Sequence, residues 1–144
     1  MSSHLKINIP FATQAEVIEL VNLFESCELP YERWTHRAHI AVAAIYLRRF
    51  SLEEATDRAR RFIPQYNLTR GDPNGYHETI TILFMRLVER EMRVAPTAEL
   101  ASFVNDLAGR FQLGWLLRYY SSDLLWSDKA RAGFVMPDLR PLDF

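Results

Sequence analysis

The chain has 144 residues, of which 49% are hydrophobic and 24% charged, and carries a formal net charge of −1. That is too apolar for a disordered chain and too neutral for a nucleic-acid surface. One cysteine, Cys27, rules out an internal disulfide framework and suits a reducing cytoplasm. The longest apolar run, residues 40–47, is too short to span a bilayer. These features predict one cytoplasmic domain over residues 1–144, with neither nucleic acid nor membrane as a partner.

Thr13 and Glu16 form a capping box ahead of Val17, Leu20, Val21 and Phe24, which predicts helix 1 over about residues 13–27. Pro30 breaks the chain, and Thr35 caps helix 2 at about residues 36–49. Ser51 and Glu54 open helix 3, whose inward stripe is Leu52, Ala55, Ala59, Phe62, Ile63 and Tyr66. Pro64 should kink that helix or end it early. After the turn cluster RGDPNG at 70–75, helix 4 runs over about 76–94 with Ile80, Leu83, Phe84, Leu87 and Val88 inward. Thr97 caps helix 5, which carries Leu100, Phe103, Val104 and Leu107. A further helical stretch is expected at about 110–121. Ser127 and Gly133 bracket a short helix, and FVMPDLRPLDF reads as an extended tail. Only LKINIPF near the start shows any strand-like alternation. The expectation is an all-α four-helix up-down bundle with additional C-terminal helices and an extended C-terminal tail.

Two short stretches carry the chemistry. WTHRAH places His36 and His39 three residues apart, on one face of helix 2. GYHETIT places His77 and Glu78 at the start of helix 4. Short connections make successive helices antiparallel, so helices 2 and 4 should begin at the same end of the bundle. The two clusters would then meet, with Cys27, Glu28, Tyr66, Asn67 and Arg70 nearby and Tyr31 and Trp34 as one wall. A helix N-terminus disfavours a protonated imidazole and favours a carboxylate, which is the donor set a divalent metal needs. His36, His39 and His77 are therefore the expected ligands of one Zn, Fe, Mn or Ni ion. Glu78 would serve as fourth ligand or general base, Tyr76 and Arg70 would orient a small polar substrate, and Trp34 and Tyr31 would line the pocket.

Two other readings compete. The same histidines and Glu78 could form a metal-free acid–base pair. Alternatively the histidines are structural, and the aromatic C-terminal run at 119–142 makes a homodimer or partner interface, or merely covers the bundle. His4 lies near the terminus with no expected role, and Cys27 reads as a small core residue. Arg70 and Arg131 are candidate anion binders that could equally form surface ion pairs.

WTHRAH, GYHETIT and the ending LLWSDKARAGFVMPDLRPL together resemble a set of small, uncharacterised bacterial all-helical proteins, over Trp34 to Leu142. More loosely, three inward histidines at one end of a helical bundle are similar to the DinB/YfiT-like metal-binding proteins, several of which act in thiol-dependent transferase or isomerase reactions. That family usually spaces two histidines four apart on a late helix, whereas here the pair is three apart on an early one. The resemblance implies a ligand role for His36, His39 and His77 and no particular substrate.

Overall fold

The computed structural model describes residues 5–144, and His4 lies outside them. No β-strand occurs among the described residues; the LKINIPF stretch is irregular where described, and its Ile7 N–H donates to the Glu32 carbonyl. The protein is all-helical: α1 (Gln14–Glu25), a 3₁₀ turn (Tyr31–Arg33), α2 (His36–Arg49), α3 (Leu52–Thr69), α4 (Glu78–Val94), α5 (Leu100–Arg110), a second 3₁₀ turn (Leu113–Arg118), α6 (Ser122–Leu125) and α7 (Asp128–Ala132).

The helix starts follow their capping chemistry. Thr13, Thr35 and Ser51 each accept a backbone N–H three residues on. Two starts depart from expectation. Glu99, not Thr97, caps α5 by accepting from Ala101 and Ser102. His77 lies before α4 and caps it, with Nδ1 accepting the Ile80 N–H at 3.2 Å. Helix 1 ends at Glu25, two residues short of the expected end, because Cys27 turns left-handed with φ 61°. The Cys27 and Glu28 amides then return to the Phe24 and Leu23 carbonyls, a Schellman ending built on cysteine where glycine is usual.

α3 runs on past Pro64 to Thr69. Proline removes one intrahelical bond, but Ile63, Tyr66 and Asn67 are buried around it and the Tyr66 hydroxyl donates to Leu29 O at 2.8 Å. Tertiary packing outweighs the local penalty here.

Every residue of α2 from Ile40 to Tyr46 is buried. A helix apolar on all sides belongs in the middle of a fold, and α2 packs against α1, α3, α4 and α5. The alanines at 38, 41, 43 and 44 let these neighbours approach closely. α2 and α4 run in the same direction. Their C-terminal ends, with Leu47, Phe50, Met92 and Ala95, line one cavity of about 420 Å³, and His36 at the start of α2 faces Phe84 of α4.

Residues 133–144 contain no helix and are held along their length. The Thr79 hydroxyl donates to Gly133 O and accepts the Val135 N–H. Tyr120 donates to Val135 O, Ser121 binds Asp138 through its amide and hydroxyl, Tyr119 donates to Asp143, and Arg86 reaches Phe144 O.

Since Ala44 has no exposed surface, Ala44→Leu should lower stability by about 1–3 kcal/mol through overpacking. Chemical denaturation of this variant checks the expectation; an unchanged midpoint would mean that α2 has room beside it.

Candidate functional site

The shared direction of α2 and α4 does bring their starting ends together, but with an offset. His36 lies against the ring of Phe84 with centroids 5.1 Å apart. His77 precedes Phe84 by seven residues, which at about 1.5 Å per residue places it roughly 10 Å further along the axis. Each histidine consequently has a different set of neighbours.

His36 donates from Nε2 to Phe111 O at 2.7 Å, joining the start of α2 to the end of α5. Burial lowers its pKa, the Phe111 carbonyl opposes that, and the charge of Arg37 adds to the fall. His39 donates from Nδ1 to Thr35 O at 2.8 Å and lies on Trp34, with ring centroids 3.8 Å apart. Desolvation against that face lowers its pKa, opposed by the Thr35 bond and aided by His36 and Lys6. Its outer edge is exposed, which limits how far desolvation carries. His77 uses both nitrogens: Nε2 donates to Leu125 O at 2.6 Å while Nδ1 caps α4. The carbonyl partner fixes the Nε2–H tautomer and leaves no lone pair for a metal. Its pKa is lowered by burial first and by Arg131 among lesser causes.

The expected ligand set is therefore not assembled. Among the described residues no group of three or more His, Cys, Asp or Glu is placed to hold a metal ion. Burial favours the neutral imidazoles here, but carbonyl oxygens take their N–H groups. The lone pairs left over are Nδ1 of His36 and Nε2 of His39.

The remaining candidates are dispersed as well. Both oxygens of Glu78 are taken, by the Tyr76 hydroxyl at 2.6 Å and by Arg60 Nε at 2.8 Å. Arg60 also holds Asp57, which makes this a clamp between α3 and α4. Burial, then the bond to Glu78, raises the Tyr76 pKa, so its phenol remains a proton donor. Arg70 donates from Nε to Cys27 O at 2.9 Å and braces the left-handed turn. The Cys27 thiol meets Gln65. Trp34 is buried, stacked on Phe24 at 4.6 Å and near Tyr66 at 5.1 Å, so it is core and not an open wall. Tyr31 has the Lys6 ammonium 3.3 Å from its ring centroid. Trp34 thus lies against His39, and Tyr31 against Lys6.

Of two further features, the first was not singled out from the sequence, and the second is the surface of the C-terminal run at 119–142 that was. The fully buried Tyr46 donates to Glu25 at 2.6 Å, with Arg58 3.5 Å from that carboxylate and over the Phe50 ring. The signal was Tyr46 inside the apolar run of α2, because a buried hydroxyl requires a partner. The second is the apolar surface of the C-terminal segment: Leu113, Leu117, Trp126, Phe134, Met136 and Leu139 are all exposed, Met136 by 68% and Leu139 by 60%. The Leu139 N–H to Tyr119 O bond and the Ser121–Asp138 pair lay residues 134–139 alongside 117–126.

No family model, no curated protein and no solved structure matches the chain. Among the described residues no helix is long and apolar enough to cross a membrane.

His77→Asn keeps a capping oxygen but leaves Leu125 O without its donor, and should cost about 1–3 kcal/mol. His77→Ala loses the cap too and should melt lower still. Equal melting temperatures for wild type and both variants would show that neither bond matters. The folded state holds protons on His36 and His77 more weakly than the ordinary pKa of 6.5. Below that pH the unfolded chain binds more protons, so stability is full above 6.5 and falls as the solution is acidified. Denaturation midpoints measured across this range should show the decline, flattened in a His36→Gln, His77→Asn double variant.

Proposed function

We propose that the protein is a non-enzymatic helical interaction protein that pairs with a second copy of itself through its C-terminal apolar surface. The observation that carries this reading is the set of exposed Trp126, Phe134, Met136 and Leu139 on a segment anchored by hydrogen bonds. Large apolar side chains left on a fixed surface mark a place where another surface docks. The use of all three imidazoles as donors to backbone carbonyls also supports a structural role for the histidines.

A catalytic reading draws its support from His39, whose Nε2 is an acceptor on an exposed ring. A metal-free acid–base enzyme acting on a small polar molecule would have to use it without Glu78, which is bound to Arg60 and Tyr76. A metal-dependent enzyme would have to bind Zn, Fe, Mn or Ni through His36 and His39 alone, and two imidazoles are fewer protein ligands than catalytic sites commonly use.

Sedimentation velocity should find a dimer, and a Met136→Lys, Leu139→Lys variant should sediment as monomer with an unchanged far-ultraviolet spectrum. A wild-type monomer at high protein concentration would overturn the proposal. Metal analysis of protein purified without chelator or nickel resin should find only substoichiometric transition metal. One full equivalent, lost in His36→Ala, would replace this reading with the metal-dependent one.

A further inference from the structure

Arg37 lies in the first turn of α2, inside WTHRAH, yet takes no part in the histidine contacts. Its Nε and Nη1 are closed off from solvent and have no hydrogen-bond partner. Arg37 as a whole is half-buried, and each of these two unpaired N–H groups carries a desolvation cost. The same side chain lines a second cavity, of about 280 Å³, between the N-terminal stretch and the first two helices. Arg33 joins Arg37 there, and Glu16 and Glu19 also line it, with Ile7, Ile9, Phe11 and Leu20 supplying apolar surface. The ion pairs found among the described residues join neither arginine to Glu16 or Glu19. One Glu16 oxygen accepts the Ala12 N–H.

Two cations and two carboxylates thus share one small cavity without neutralising each other. Guanidinium groups match carboxylates through paired N–H donors, and a carboxylate matches an ammonium group. The volume falls below the range typical of sites for drug-sized ligands. From the unpaired guanidinium, the cavity and its charge pattern, we infer that the protein binds a small zwitterion of the α-amino-acid class with an apolar side chain. The ligand's carboxylate meets Arg37, supported by Arg33. Its ammonium meets Glu19 and the free oxygen of Glu16. Its side chain lies against Ile7, Ile9 and Leu20. The site is distinct from the C-terminal surface, and it borders the first turn of α2 through Thr35, whose carbonyl accepts from His39.

Calorimetric titration of the full chain with L-leucine, N-acetyl-L-leucine and L-leucinamide tests this. L-leucine should bind saturably. Removing the carboxylate, as in leucinamide, or the ammonium, as in the acetylated form, should weaken binding about tenfold or more, as expected for losing a charge-assisted bond. Arg37→Gln should weaken leucine binding by a similar factor, and Arg37→Lys by less. Glu19→Gln should weaken leucine but leave N-acetylleucine unchanged. Far-ultraviolet spectra identify any variant that fails to fold, and the comparison of the three ligands on wild-type protein stands without the variants. Absence of saturable leucine binding, equal binding of leucine and leucinamide, or equal binding of leucine and N-acetylleucine would overturn the inference.

Discussion

The all-round burial of α2 is the constraint on which the rest of the structure depends. Seven consecutive buried residues, Ile40 to Tyr46, cannot face one partner alone. They require neighbours on every side, and α1, α3, α4 and α5 supply them. Once α2 occupies the centre, each surrounding helix needs only one apolar face. The charged residues of α3 and α4 can then pair on the outside, as Arg60 does with Glu78 and Arg93 with Glu89. The alanines of α2 set how close the surrounding helices come, and its one buried hydroxyl, Tyr46, is matched by Glu25 of α1.

The same geometry decides the role of the histidines. A helix in the middle of a fold begins beneath other chain segments, so its first turn meets backbone groups that need partners. His36 meets the carbonyl ending α5, and His77 meets the carbonyl ending α6. An imidazole suits this task because it is long enough to cross between elements and, when neutral, carries one donor. Burial holds both rings in that neutral form. The protein thus uses imidazole as an uncharged cross-link between helix starts and the segments that cover them.

Much of this was legible in the sequence. The bounds of α2, 36–49, follow from Thr35 and the apolar run, and the common direction of α2 and α4 follows from short connections. Local capping chemistry was legible wherever a hydroxyl residue stood at the boundary. It failed at His77 and Glu99, where a ring nitrogen and a carboxylate do the capping. That difference of two residues moved His77 from an inward first-turn position to a cap. The axial offset between α2 and α4 was not legible either, because periodicity reports which face is buried and not how far one helix slides along another. The docking of α6 and the final segment onto α4 includes side-chain-to-carbonyl bonds spanning 48 to 58 residues, for which no local pattern exists.

The anchoring of α4 has a consequence for how the chain is made. His77 takes its partner carbonyl from Leu125, 48 residues later, and Thr79 takes Gly133, 54 residues later. During synthesis the start of α4 emerges well before either partner exists. Long-range closure of this kind comes late. Until residues 125–133 have been made, the His77 and Thr79 side chains at the start of α4 are without these two carbonyl partners.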